Sequence, residues 1–409
     1  MKLWQKIMLA MFLGIIYGAF FKDFSISYLS INPENLEPIG TIFLNMIKMV
    51  VIPLIFFSIL NGITNVNDAN TLGRLCCRAL LIYIFTTIFA VTIGIFFANI
   101  FKPGVGLTID IHNTKINIQD NTSLKELLIN IIPCNPIKAM SDGNTLQVVV
   151  FSFFTGFALI LIGDKGREVK NLISSATHLV FKMISLVIQL TPYGVFVIMS
   201  WVVAKYGLGI MMHLGKFITV VVGALFIQYL LFGVMLICMA GINPIPFYKK
   251  LLNTQALALA TSSSKATLET AIRDMRTKIG VSKESASFIL PLGAAINMDA
   301  TAIYLGICSV FFAQIFDITL TLNHYIILVL TSTIGSIGAA GFPGGSMVMM
   351  SVVLSSIGLP LEGIAVILGV DRVLEMIRTM INITGDCTVT VIVDNMEGSF
   401  NKEIYYSHK

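Results

Sequence analysis

Charge is what this sequence has least of. Asp, Glu, Lys and Arg make up 12% of its 409 residues, roughly half the share of soluble domains. No water-facing surface of this size stays dispersed on so little. The basic residues form no dense run, so the formal charge of +5 does not indicate a nucleic-acid partner. The six cysteines (Cys76, Cys77, Cys134, Cys238, Cys308 and Cys387) have neither disulfide nor metal-ligand spacing. Most sit in apolar stretches, where a thiol is expected to act as a small buried hydrophobe. No G-x-x-x-x-G-K-[ST] phosphate loop occurs, which argues against ATP-driven work within this chain. Ser262 and Lys265 spell S-x-x-K, but none of the other motifs of a serine acyl-transfer enzyme accompanies them. The chain reads as a non-enzyme without a cofactor.

What the sequence does have is apolar length. Hydrophobic residues are 56% of the chain and the mean hydropathy is +0.86. Residues 46–61, 79–100, 148–163 and 217–241 are each long enough, or nearly so, to cross about 30 Å of hydrocarbon at roughly 1.5 Å per residue. Residues 3–21, with Lys2 and Lys6 flanking their start, precede no small-residue cleavage site, which reads as a retained first span. Short-loop charge sets the orientation. Arg74 and Arg78, then Lys165, Arg167 and Lys170, then Lys249 and Lys250, then Arg273, Arg276, Lys278 and Lys283 all fall on one side. That side is the cytoplasm, with both termini there. Residues 22–38 and 102–126 fall outside.

Simple span counting then fails twice. Residues 251–272 are apolar at both ends and polar in the middle, with positive charge on both flanks. A re-entrant hairpin keeps both flanks inside; a single crossing does not. Residues 325–358 repeat the form around a run of glycines and a proline, which cannot remain a lipid-facing helix. Each interrupted segment precedes a span with polar residues inside it. This pairing predicts an inverted repeat with a site between its halves.

The chemistry concentrates on those two polar spans. On a helix, Asp371, Glu375, Arg378, Asn382 and Asp386 fall within an arc of about 80° over a rise of roughly 22 Å, with an apolar surface elsewhere. Intramembrane charge is costly enough that a stripe of four ionisable groups reads as a site. Asn297, Asp299, Asn382 and Asp386 supply the oxygen ligands that hard cations prefer. Arg378 is the one cation well placed for a substrate carboxylate, and Glu375 is placed for an ammonium. Thr261–Ser264 at the first hairpin's tip offer hydroxyls and free N–H groups to an anion, Ser262 and Ser263 foremost. The pattern suits a zwitterion with an extra acid group.

TSSSKATLET, AAINMDATAIY, GSIGAAGFPGGS and DRVLEMIRTMINITGD, in this order, resemble the dicarboxylate/amino acid:cation symporter family, which includes the glutamate transporters. IKMVVIPLIFFSI and IYIFTTIFAVTIGIFFANIFKPG extend the likeness over nearly the whole chain. The resemblance implies an all-α polytopic membrane protein with eight transmembrane helices and two re-entrant hairpins, trimeric, in a bacterial inner membrane. Residues 1–76 and 120–205 would form a scaffold; residues 77–119 and 206–409 would form a transport domain that moves like an elevator. Arg378 matches the side-chain carboxylate ligand, and Glu375 stands where an aspartate usually holds the amino group. Thr301, Thr379, Asn382 and Ser263 match further substrate contacts, with backbone near Phe342 and Gly344 closing the site. Gly293, Asn297, Asn382 and Asp386 match one sodium site. Tyr83, Thr86, Thr87, Asn297 and Asp299 match a second, and backbone at Ala295, Met298, Ser336 and Ala339 a third.

Some positions depart from the family pattern. Glu375 is a methylene longer than the usual Asp. Thr261 replaces an arginine found before the serines in some members, and Arg372 is a candidate for supplying that charge. Ala339 lacks a usual hydroxyl, Ala300 replaces a usual glycine, and Lys265 is bulkier than expected. The expected activity is import of L-glutamate or L-aspartate with Na⁺. Proton coupling and C4-dicarboxylate transport are the alternatives.

Overall fold

A computed structural model describes residues 3–20, 36–64, 71–106, 129, 132–142, 145–206, 209–338, 345–360 and 364–407. The apolar runs fold as helices, because a chain with so little water-bonding surface must pair its own amides. In chain order these are α1 (Leu3–Phe20), α2 (Glu37–Thr64), α3 (Thr71–Phe101), the short α4 (Pro136–Ser141), α5 (Thr145–Leu161), α6 (Arg167–Gln189), α7 (Thr191–Tyr206) and α8 (Gly209–Met235). They continue with α9 (Pro244–Thr261), α10 (Ser264–Asp274), α11 (Lys283–Ile296), α12 (Asp299–Ile315), α13 (Leu322–Gly338), α14 (Gly345–Ser356), α15 (Ile364–Met396) and α16 (Lys402–Tyr406). There is no strand among the described residues. Four helical stretches among them are long and apolar enough to cross a membrane: Cys77–Phe101, Met211–Ala240, Lys283–Ile315 and Val370–Met396. α6 and α7, bent by 48° where they meet, would add a fifth as one span.

Small residues set the closest helix approaches. A Cβ on Gly14 would lie 2.6 Å from the Phe196 carbonyl oxygen, and one on Gly18 2.4 Å from that of Ser200. The G-x-x-x-G pair thus lets α1 lie backbone-to-backbone on α7. α2 packs against α5, α6 and α7. On α6, Ile173, Val180 and Val187 are buried, while Leu172, Leu179 and Leu186 are exposed at heptad spacing.

The second half of the chain is built around α12, which is buried at every position except Gln314. α3, α8, α13, α14 and α15 all touch it. Residues 251–272 fall on two helices: α9 and α10 turn back on each other at Ser262, whose φ of +52° is left-handed, and at Ser263, which caps α10. Thr254 donates to Asp274 Oδ2 (3.1 Å) and Lys250 Nζ to the Lys278 carbonyl (2.9 Å), so the arms are in register. α13 and α14 form a second pair, joined where Ser356 Oγ donates to Thr331 Oγ1 (3.2 Å). Residues 339–344, between them, lie outside the described residues.

The base of the first pair carries a clasp that the sequence did not announce. α8 and α10 each end in a π turn followed by a left-handed glycine, Gly241 (φ +65°) and Gly280 (φ +89°). The tail crosses these corners: Asn401 N donates to the Gly280 carbonyl, and Lys250 Nζ also donates to the carbonyls of Ile404 and Tyr405. Buried Tyr405 donates to the Asn243 carbonyl (2.6 Å) and accepts from Phe247 N (3.2 Å).

Three expectations need correction. Cys77, Cys134 and Cys238 are exposed and only Cys308 and Cys387 are buried among the described free cysteines, because an apolar stretch in such a protein has an outward face as well as a core. α15 is not a one-sided helix: Ile381–Asp394 are buried all round, since α8, α9, α11 and α12 surround it. The polar span at 297–301 is broken. α11 stops at Ile296 and α12 begins at Asp299, with Asn297 and Met298 non-helical.

Candidate functional site

The break creates a helix N-terminus inside the protein, and α15 runs past it. Asn382 Oδ1 accepts from Ala300 N (2.8 Å), capping the first turn of α12. Its amide donates to Met298 Sδ (3.2 Å) and reaches Thr301 Oγ1 (3.5 Å). Thr301 is buried, and so is Thr379, whose hydroxyl bonds back to the Glu375 carbonyl (2.8 Å).

Above Asn382 on α15 stands a group of charged side chains. Arg378 is 1% exposed. Its Nη2 donates to Asp371 Oδ1 (2.7 Å) and to Ser346 Oγ of α14 (3.1 Å), and the guanidinium lies 3.8 Å over the Tyr304 ring of α12. Nη1 is equally buried and has no hydrogen-bond partner among the described residues. A buried donor in that condition is costly, and a carboxylate is the acceptor its fork fits. Arg372 forms an ion pair with Glu375, so Arg378 is not the sole arginine at this place. Asp371, Tyr304 and Ser346 were absent from the expected ligand set. Asp371 lay on the predicted arc, whereas Tyr304 and Ser346 reach Arg378 only through tertiary packing.

Below Asn382 the charge is all negative. Asp386 Oδ1 accepts from Asn297 Nδ2 (3.0 Å). Thr86 and Thr87 of α3 both donate to Asp299 Oδ1, at 3.2 and 2.8 Å. Gly293 sits between Tyr83 and Asp386: a Cβ there would be 2.5 Å from Tyr83 Oη and 2.6 Å from Asp386 Oδ1. Tyr83 itself donates to the Ile289 carbonyl (3.2 Å). Asn297 Oδ1, Asp299 Oδ2 and Asp386 Oδ2 are buried oxygens without a hydrogen-bond partner among the described residues. Buried acceptors left over on two carboxylates and an amide fit a hard cation or a proton. No transition-metal grouping of three His, Cys, Asp or Glu occurs among the described residues.

The sequence that places an arginine-bearing pocket about two helical turns from an anionic one is similar to known proteins. A family model described as the sodium:dicarboxylate symporter family matches residues 3–396. The chain belongs to that family. It is 36% identical over 380 residues to the proton/sodium-glutamate symport protein of Bacillus subtilis (strain 168), covering 90% of this chain and 88% of that protein. The protein of the same name from Bacillus caldotenax is 33% identical over 413 residues, 98% of this chain and 95% of its own. A C4-dicarboxylate transport protein of Brucella anthropi is 30% identical over 414 residues, 98% of this chain and 90% of its own. These are transporters, and the S-x-x-K match has no enzymatic meaning here: Ser262 is buried while Lys265 is exposed.

The remaining expected site residues of this symporter are distributed unevenly. Thr86, Thr87 and Asp299 are together, as are Gly293, Asn297 and Asp386; Tyr83 adjoins both, its carbonyl accepting from Thr86 (3.1 Å) and its Oη lying beside Gly293. Asn382 faces Ala300 and Met298. Ser336 is buried and bonds locally to the Thr333 carbonyl (2.8 Å), and Ala295 lies within α11. Ser263 Oγ accepts from Ala266 N (3.3 Å) and Ser262 N donates to the Ala258 carbonyl (2.9 Å). Ala339, Phe342 and Gly344 lie outside the described residues.

Proposed function

We propose that this chain is a secondary active symporter that imports acidic amino acids, L-glutamate or L-aspartate, together with Na⁺ across a bacterial inner membrane. The observation that carries the reading is Arg378: a buried guanidinium, steered by Asp371, Ser346 and Tyr304, with one nitrogen lacking an acceptor among the described residues. A substrate carboxylate supplies that acceptor, and Glu375 lies on the same helix for the substrate ammonium. The names of the Bacillus relatives support the same substrate class.

Coupling follows from charge. The leftover oxygens of Asn297, Asp299 and Asp386 would take Na⁺ at the two sites expected of the family. With the carboxylates balanced, the break at residues 297–298 and the Asn382 cap can hold their arrangement. Ser262, Ser263, Thr301 and Thr379 would complete the substrate pocket, with Phe342 and Gly344 closing it. Ala295, Met298, Ser336 and Ala339 would make the third ion site.

The wider architecture is part of the proposal: eight spans, two re-entrant hairpins, a homotrimer and cytoplasmic termini. α1, α2, α5, α6 and α7 pack chiefly on one another, and α12 is sheathed by α3, α8 and α13–α15. That partition supports a scaffold of residues 1–76 and 120–205 and a mobile domain of residues 77–119 and 206–409.

C4-dicarboxylate transport is the second reading, favoured by the Arg372–Glu375 pair, which already balances the carboxylate an ammonium would need. Proteoliposome uptake of labelled L-aspartate, L-glutamate and succinate, under separate sodium and proton gradients, tests both. Sodium-driven amino-acid uptake is the expected result. Uptake of succinate alone would overturn the amino-acid reading, and uptake driven only by protons would overturn the Na⁺ assignment.

A further inference from the structure

The four charged groups between residues 371 and 378 sum to zero. Asp371 pairs with Arg378 across two turns and Arg372 with Glu375 across one. The two pairs are not equivalent. Among the described residues Arg378 keeps a spare donor, Nη1, so a carboxylate can be added without breaking the bond to Asp371. Glu375 Oε2 is already engaged by Arg372. An incoming ammonium therefore gains only the difference between its own contact and the one it weakens.

We propose that Arg372 sets the preference between substrates with an ammonium and those without, by holding the Glu375 carboxylate against it. This rests on the acidic-substrate reading of Arg378 given above. Three observations carry it. Glu375 is 7% exposed, so its charge needs a partner whether or not substrate is present. Arg372 is well placed to be that partner: its side chain is 18% exposed, and its Nε is buried without an acceptor among the described residues. The extra methylene of Glu over Asp lengthens the reach of residue 375 toward residue 372. A dicarboxylate with no ammonium leaves the pair intact and meets a neutral, fully compensated quartet. An amino acid must share Glu375 with Arg372.

The direction of the effect follows. With Arg372→Gln, Glu375 loses the Arg372 guanidinium that competes with an arriving ammonium. L-aspartate then binds more tightly relative to succinate, by about tenfold or more in the affinity ratio. Arg372→Lys keeps a charge in reach and restores the ratio most of the way to that of the unmodified protein. Glu375→Gln removes the ammonium partner and frees Arg372 for an acceptor, so the ratio moves toward succinate.

The test is titration of the purified full-length protein, in lipid nanodiscs at constant sodium, with L-aspartate and succinate, for the unmodified protein and the three variants. Opposite shifts for Arg372→Gln and Glu375→Gln are the expected result. An unmoved ratio in Arg372→Gln, or a shift toward succinate, overturns the proposal. If Arg372→Gln does not fold, Glu375→Gln and Arg372→Lys decide: a ratio unchanged in the first, or strongly shifted in the second, overturns it equally. Failure of the unmodified protein to bind either ligand would instead sink the substrate reading itself.

Discussion

Two clusters on one helix solve the burial of charge in opposite ways. Toward the start of α15, Asp371, Arg372, Glu375 and Arg378 balance each other inside the protein, two anions against two cations. One turn beyond Asn382, Asp386 and Asp299 have hydroxyl and amide donors but, among the described residues, no arginine or lysine partner, and each keeps an oxygen without a hydrogen-bond partner there. Neutral donors do not cancel a carboxylate charge in a low-dielectric setting. The first cluster is charge-balanced without a ligand: Arg378 can add an acceptor at Nη1, whereas Glu375 shares its carboxylate with Arg372. The second is electrically incomplete until a cation or proton joins it. On the proposed function, the ion would complete one site and the substrate would add to the other.

The sharpest way to break this comparison is to neutralise the second cluster. Asp386→Asn keeps the shape and removes the charge; sodium-driven uptake is expected to fall by roughly 100-fold or more. Sodium-titrated transport reads this directly, and an unchanged sodium dependence would move the ion elsewhere. The corresponding change in the first cluster is Arg378→Ala. It removes at least one charge-assisted bond and leaves Asp371 buried without its arginine, so acidic substrate affinity should drop by about 100-fold. Some neutral amino-acid binding should survive, and retained aspartate affinity would contradict the assigned role.

Gly293→Ala sharpens the contrast with a single methyl. Its Cβ would crowd Tyr83 Oη and Asp386 Oδ1, at 2.5 and 2.6 Å, and sodium affinity should weaken about tenfold. Substrate affinity at saturating sodium should stay near its original value. The smallest effect is expected away from both clusters. Tyr405→Phe leaves Phe247 N and the Asn243 carbonyl at the clasp without their partner, a loss of about 1–2 kcal/mol of stability. A thermal melt measures it, and the aspartate-to-succinate ratio should not move.

Much of this was legible in the sequence, for reasons that can be named. Low charge and long apolar runs left a membrane protein as the one workable class. The interruptions at residues 251–272 and within 325–358 showed as polar or glycine-rich centres between apolar arms, and paired helices stand at both places. The α15 stripe showed because helical spacing brings 371, 375, 378, 382 and 386 to one side. The break at Asn297–Met298 did not show. Neither residue is a helix breaker, and the unwinding is held from outside, by Asn382 on the N–H of Ala300. Cysteine burial was misjudged because hydropathy does not separate a lipid-type outer face from a core.

The sequence by itself determined the class of molecule and which residue types meet along α15, since length, hydropathy and helical period are local properties of the chain. Only the tertiary structure decided who pairs with whom. Spacing allowed Glu375 to serve Arg378 or Arg372, and allowed Asp371 to stand alone. The approach of α12 and α14 brought Tyr304 and Ser346 to Arg378, alongside the pairing of Arg378 with Asp371 and of Glu375 with Arg372. Charge pairing inside a protein depends on which side chains share a dry space, and that is settled by packing between segments far apart in the chain.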